Sequence, residues 1–297
     1  MAIILAVDAM GGDHGVNITV PSCLRFLDET VDVNVVLVGD RDAIYKQIGD
    51  KLSQYSDRID VVHATQVVGM DEAPQSAMRT KRDSSMRLAI NLVKEGKANA
   101  IVSAGNTGAL MAISRYVLRT MDGIDRPAIA KLLPTVKGEV CMLDLGANIE
   151  CSPEHLVQFG IMGAQLMRGV TGKTSPSVGI LNIGSEDIKG NETVKKAAEL
   201  LKKTNLNFYG NVEGDDIFKS VVDVVVTDGF TGNVSLKTTE GVAKMIVFFL
   251  KEEFTRSWIT KLIALISYPV LKRLKLRLNP SKYNGAVLVG MNGLVIK

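Results

Sequence analysis

The feature that most narrows the fold is an alternation. Short apolar runs lead into glycine-containing polar turns, and the turns lead into segments of helical periodicity. The runs are IILAVDAMGG, NVVLVGD, NAIVSAGNTG, EVCMLDLGAN, SVGILNIGS, LNFYGNVEG, DVVVTDGFTGN and GAVLVGMNG. Val, Ile and Leu follow one another in them without polar interruption, as in strands buried on both faces, so the sheet is expected to be largely parallel. The segments between, such as Ser84–Gly96 and Glu192–Lys203, carry charged outer faces at helical spacing. Together they predict an α/β fold: a three-layer α/β/α sandwich on a mostly parallel, doubly wound sheet. Residues 1–297 read as a single domain, with an amphipathic basic helical excursion at about 254–278.

Composition excludes several classes. Basic and acidic residues nearly balance, 35 against 32, which provides no strongly basic face for nucleic acid. No run of about 18 apolar residues occurs, so no bilayer-spanning segment is expected. The start, MAIILAVDAMGGD, lacks a basic n-region and reads as a first strand, not a signal peptide. Cys23, Cys141 and Cys151 show no metal-type spacing and read as reduced thiols of a cytoplasmic protein. His14, His63 and His155 lie far apart, and neither a metal nor a cofactor is predicted.

In doubly wound sheets, ligands gather at the carboxyl ends of the strands. The turns there supply Asp8, Asp13, His14, Asn106, Thr107, Asp144, Asn148, Asn182, Glu186, Asp187, Asp228, Thr231 and Asn233. Residues 103–109, SAGNTGA, stand out because glycine weakens both strand and helix, so two of them at a strand's mouth need a reason. One reading is an anion cradle at the start of a helix near Thr107 or Gly108, where free N–H groups and the positive dipole end face the loop. The other is plain helix capping by Asn106 or Thr107. DAMGGD and DGFTGN offer the same geometry from other strand ends. A further turn, LNIGSEDIKGN, adds a cation, Lys189, which reads either as solvated or as a partner for an anion.

Standard nucleotide motifs are missing. Gly169–Thr174, GVTGKT, resembles the end of a phosphate-binding P-loop, but Met167 stands where its first glycine belongs and no apolar strand leads into it. Residues 254–278 carry Arg256, Lys261, Lys272, Arg273, Lys275 and Arg277, no acidic residue, and the chain's one tryptophan, Trp258. With Leu262 and its apolar neighbours at helical spacing, this segment suits an anionic membrane surface or an acidic carrier; a subunit interface or core helix is the other reading. Pro269 is expected to break the helix.

The ordered motifs VDAMGGD, KRDSSM, VSAGNTGAL, RPAIA, LDLGAN, PEHLVQFG, LNIGSEDIKGN, GNVEGDDIF and VVVTDGFTGN resemble the bacterial phosphate acyltransferase family of phospholipid synthesis (PlsX) from Ile4 to Lys297. The family pattern continues past MNGLVIK, with which this sequence ends, and has proline where this chain has Val16-Asn17. The resemblance implies transfer of a fatty acyl group from acyl carrier protein to inorganic phosphate, giving acyl phosphate for a membrane-bound glycerol-3-phosphate acyltransferase. It also implies a fold similar to isocitrate/isopropylmalate dehydrogenases and phosphotransacetylases, a homodimer, and peripheral association with the cytoplasmic membrane. On the matching motifs Lys189 and Asn233 are the candidate catalytic residues, and phosphate falls to Ser103, Gly105, Asn106, Thr107 and Gly108. Asp8, Asp13, His14 and Asp228 are expected to support the loops. Arg256, Trp258, Lys261, Leu262, Lys272 and Arg273 are expected to contact membrane or carrier. Two alternatives remain open: a non-catalytic fatty-acid or carrier-binding protein, and a coenzyme A-dependent phosphotransacylase.

Overall fold

The computed structural model describes residues 2–278 and 285–297, with side chains described except between residues 275 and 284. Its elements in chain order begin with β1 (Ile3–Asp8), α1 (Val16–Glu29), β2 (Val33–Gly39), α2 (Arg41–Ile48), α3 (Leu52–Tyr55) and β3 (Ile59–His63). Next come α4 (Pro74–Thr80), α5 (Ser85–Lys94), β4 (Ala100–Val102), α6 (Thr107–Leu118), β5 (Ala128–Thr135), β6 (Gly138–Leu143) and α7 (Pro153–Thr171). The chain continues through β7 (Ser177–Leu181), α8 (Glu192–Leu201), β8 (Asn207–Val212), β9 (Val224–Val226), α9 (Gly229–Thr255), α10 (Trp258–Leu278), β10 (Val287–Val289) and β11 (Leu294–Ile296). Two compact units share these elements: Met1–Pro127 with Val287–Lys297, and Ala128–Ala286. Both obey the same alternation, which is why composition shows no seam between them.

In the first unit the strand order is β3-β2-β1-β4-β11-β10. All its pairs are parallel except the hairpin-like β10–β11. Val7, Val35 and Leu37 on one face pack with Val20, Leu24 and Leu27 of α1 and Ile44 of α2. Side chains alternate across a strand, so Ala6 and Asp8 point to the other face, where α5 begins. Strand order runs outward from β1 to β3 and then reverses to β4. The crevice at such a reversal is where doubly wound sheets hold ligands.

The second unit orders its strands β5-β6-β9-β7-β8, parallel apart from the β5–β6 pair. Helix α7 covers its core so closely that a Cβ on Gly163 would stand 2.6 Å from Val224 and 2.9 Å from Leu143. Here the order reverses at β7, with β8 on one side and β9 on the other, which puts the reversal between β7 and β9.

Two local expectations are settled. GVTGKT is the C-terminal end of α7, where Gly172 adopts the left-handed conformation at φ 72°, so it presents carbonyls and not the N–H groups a P-loop needs. Pro269 lies inside α10 and does not end it. Proline deletes one hydrogen bond, and here the helix continues on both sides of that gap.

Candidate active site

At the reversal point of the first unit, the turn after β1 meets the turn after β4. Asp8 closes β1 with its carboxylate inside, 2% exposed. Its Oδ1 accepts from Ser85 Oγ at 2.6 Å, and its Oδ2 accepts from Ser103 Oγ at 2.7 Å. Burial pushes this carboxyl above its usual value, against the pull of the two hydroxyls and the backbone of Met10 and Gly11. Ser103 Oγ also accepts from Gly105 N at 3.1 Å, so its hydroxyl bends the turn from below and is itself buried. Glycine is required where the two turns touch: a Cβ on Gly11 would stand 2.6 Å from Asp8 Oδ2 and 2.9 Å from the Gly105 nitrogen.

Asn106 is the N-cap of α6, its Oδ1 accepting from Ala109 N at 3.0 Å. Its Nδ2 donates to the carbonyls of Met70, Glu72 and Gly69, at 2.8, 3.0 and 3.3 Å. The side chain is therefore spent on capping and on tethering residues 69–72. What the turn has left to offer an anion is the backbone of Thr107 and Gly108, whose first-turn N–H groups precede any helical acceptor. Gly108 also makes room for Pro74, which a Cβ would meet at 2.7 Å. Asp13 and His14 are exposed on the turn after β1.

The sequence reading passed over one cation here. Lys297 follows β11, the parallel neighbour of β4, and its Nζ donates to the Ala104 carbonyl at 3.1 Å. Burial pulls this lysine below its usual value, and the nearby carboxylates of Asp8 and Asp13 pull it back up. Only the register of β11 on β4 places it there. The single available signal was the apolar triplet that precedes it.

In the second unit, three turns leave the carboxyl ends of β6, β7 and β9. The β6 turn is organised by Asp144, fully buried, which accepts from Ile129 N, Ala147 N and both nitrogens of Asn148 at 2.7–3.0 Å. Burial raises its pKa while these donors oppose the shift. Next, the β7 turn carries Lys189, exposed and without an ion-pair partner among the described residues. Its backbone is clamped: Lys189 N donates to Glu186 O at 3.0 Å, Asn182 Nδ2 donates to Lys189 O at 3.1 Å, and Asn211 Nδ2 donates to Glu186 O at 3.2 Å. After β9, Asp228 caps α9, accepting from Thr231 N at 2.9 Å and Thr231 Oγ1 at 2.7 Å. Asn233 follows in the first turns of α9, exposed, with its amide about a van der Waals contact from Gly146, 3.7 Å from where a Cβ would stand.

Helices α9 and α10 extend the second unit as consecutive helices in contact with each other, largely unburied. Trp258 is 75% exposed, and Leu262, Leu265, Ile266 and Val270 are exposed with it. Lys261, Lys272 and Arg273 are exposed on the same helix, while Arg256 precedes it and pairs with Glu253 at 3.6 Å. The side chains of Lys275 and Arg277 lie outside the described residues. Among the described residues no helix is long and apolar enough to cross a membrane.

Comparison with known proteins bears on the family and the fold. The profile of a family described as fatty acid synthesis protein matches residues 3–297. Over its full length the chain is 62% identical to the phosphate acyltransferase of Chromobacterium violaceum, covering 86% of that protein. A phosphotransacetylase from Streptococcus pyogenes superposes with a TM-score of 0.63 at 15% identity, covering 99% of this chain and 87% of the other. A 4-hydroxythreonine-4-phosphate dehydrogenase from Burkholderia phymatum gives 0.52 at 14% identity, covering 100% and 89%. Both share the α/β fold of parallel strands and flanking helices. The family match spans residues 3–297, and the chain belongs to the fatty acid synthesis protein family.

Proposed function

We propose that this protein is a phosphate acyltransferase: it moves a fatty acyl group from a thioester of acyl carrier protein to inorganic phosphate. The observation that carries the reading is the 62% identity to a named phosphate acyltransferase over the entire chain. The chemistry fits. A thioester is already activated, and phosphate is substantially dianionic near neutral pH, so its oxygen attacks the carbonyl carbon without a strong base. The C–O bond forms, the C–S bond breaks, and the carrier thiolate leaves and takes up a proton. What the protein must supply is a desolvated grip on phosphate and charge for the developing oxyanion.

In this reading the N–H groups of Thr107 and Gly108 hold phosphate, with Ser103, Gly105 and Asn106 shaping the turn and Lys297 adding charge. Lys189 neutralises phosphate or oxyanion, and Asn233 donates to the oxyanion. Asp8, Asp13, His14 and Asp228 keep the turns in place. The protein works as a homodimer at the inner face of the membrane, where acyl phosphate is handed to a glycerol-3-phosphate acyltransferase. Supporting the membrane contact are the exposed apolar and basic side chains of α10.

The test is trapping of acyl phosphate as its hydroxamate. Purified protein with acyl carrier protein thioester and phosphate is expected to give hydroxamate that depends on both. Product from short coenzyme A thioesters alone would support a coenzyme A-dependent phosphotransacylase instead. No product from either, with retained carrier binding, would leave a binding protein.

A further inference from the structure

Among the described residues of the second unit lies a cleft of about 570 Å³, bounded by the starts of α7, α8 and α9. Three helix N-termini together would ordinarily invite an anion. Here each helix has one N–H taken by its cap, Pro153 has none to give at the start of α7, and Gly229 N donates to the Asn148 carbonyl at 2.8 Å. Ser152 Oγ accepts from His155 N at 3.3 Å, Asn191 Oδ1 accepts from Val194 N at 2.9 Å, and Asp228 Oδ1 accepts from Thr231 N. Moreover, the lining includes the carboxylates of Glu150 and Asp228, which repel phosphate. The rest of the lining mixes the apolar side chains of Ile149, Leu156, Val194 and Phe230 with the hydroxyl-bearing Thr193 and Thr231. Ile149 is 71% exposed and Phe230 62%, so apolar surface stands open at this cleft.

We propose that this cleft receives the uncharged, amide-bearing arm of the acyl donor, and that phosphate binds elsewhere. The inference rests on the acyltransferase reading and locates one substrate within it. Amide N–H groups find acceptors in the carboxylates and hydroxyls, and methylene groups find the aliphatic and aromatic wall. The volume falls within the roughly 300–1,000 Å³ of small-molecule sites, whose lining is likewise apolar with a few polar groups. Position supports the same occupant. Lys189 lies two residues before the lining residue Asn191, and Asn233 two residues after Thr231. Two residues of chain span at most about 7 Å, so an arm lying in the cleft ends beside both turns proposed for the chemistry.

Cys151, on the cleft wall and partly exposed, is a native reporter. Its alkylation by iodoacetamide is followed by mass spectrometry, in the absence of turnover, with octanoyl-pantetheine, octanoyl-coenzyme A, octanoyl-acyl carrier protein or inorganic phosphate added. The thioesters are expected to slow labelling about tenfold, and phosphate alone to leave it unchanged. Phe230→Ala is expected to raise the apparent Kd for octanoyl-pantetheine about tenfold, on the scale of one aromatic side chain buried on binding, and Thr193→Val about fivefold, on the scale of one hydrogen bond, with the KM for phosphate within about twofold of wild type. Phe230 is exposed and Thr→Val nearly isosteric, so both variants should fold, which circular dichroism checks. Protection by phosphate and not by the thioesters, or unchanged thioester affinity in folded variants, overturns the proposal. Hydroxamate formed without Cys151 protection defeats the cleft assignment alone. Protection without hydroxamate defeats the acyltransferase reading alone. Comparing the three thioesters distinguishes carrier protein from coenzyme A as the source of the arm.

Discussion

Lys189 and Lys297 are both lysines on strand-end turns, yet their surroundings predict different phenotypes. Lys189 is exposed on a turn whose backbone is held by Asn182 and Asn211 rather than by its own side chain. Lys189→Ala should therefore fold normally and lower kcat by about 10²–10³, the usual cost of removing one oxyanion donor. Thermal melting and hydroxamate turnover on the same preparation check this, and near-normal turnover would remove Lys189 from the chemistry. Lys297 is half-buried against Ala104 and two carboxylates. Lys297→Met should raise the KM for phosphate about tenfold with a smaller change in kcat, the loss of one charge-assisted contact, and Lys297→Arg should restore part of it. Because burial pulls this lysine below its ordinary value, phosphate affinity should fall at a less alkaline pH in wild type than an exposed lysine would dictate. The methionine variant should lack that limb. Cys141 yields a prediction about stability. It is wholly buried in β6, and burial pushes its thiol from 9.0 up to about 12. The unfolded thiol ionises near pH 9 while the folded one stays protonated, so the contribution is intact below pH 9 and is lost as pH rises towards 12. The loss approaches about 1.4 kcal/mol per pH unit within that window. Melting temperature measured from pH 8 to 10.5 should fall more steeply in wild type than in Cys141→Ala.

At the scale of elements, the turns decide where helices start, and glycine decides how near they come. Gly232, in the first turn of α9, is the sharpest case: a Cβ there would stand 1.9 Å from the Asp144 carbonyl oxygen. No rotamer relieves a clash with backbone, so α9 must shift away from the β6 turn. Gly232→Ala should cost about 3 kcal/mol or more, measured by denaturant unfolding. Most elements could be read directly from the residues. Each quoted apolar run contains a strand, the helix after SAGN begins at Thr107, and Asn106 caps it. Three strands were not read. In β3, IDVVH is short and interrupted by charge; β5, AIAKLLPT, contains lysine and proline; β11, LVI, is a triplet. Periodicity cannot register segments this brief or this mixed. The position of Lys297 went with β11, because a residue's place at a rim is fixed by strand pairing and not by its neighbours in sequence. Of the two readings of SAGNTGA, capping is what Asn106 does, and the anion cradle is a proposal that rests on the backbone of Thr107 and Gly108.

At the scale of the whole molecule, the exposed apolar side chains of α9 and α10 demand a covering surface. Monomeric soluble proteins rarely leave so many large apolar residues open together. Val247, Phe248 and Phe249 of α9 and Leu265 and Ile266 of α10 are each more than half exposed. A partner copy would bury apolar area without regard to salt. A membrane would add attraction between anionic lipid and Lys261, Lys272 and Arg273, worth about 1 kcal/mol per basic residue near the surface. Trp258, the one tryptophan of the chain, reports both outcomes. Vesicles containing phosphatidylglycerol at low salt should shift its emission to the blue and carry the protein down on centrifugation, and about 0.5 M salt should release most of it, since the Debye length then falls to about 4 Å. Leu265→Glu with Ile266→Glu should abolish the shift without lowering the melting temperature, because both side chains are exposed. An emission shift that depends on protein concentration and ignores lipid and salt would instead mean that a second copy covers this face of α10.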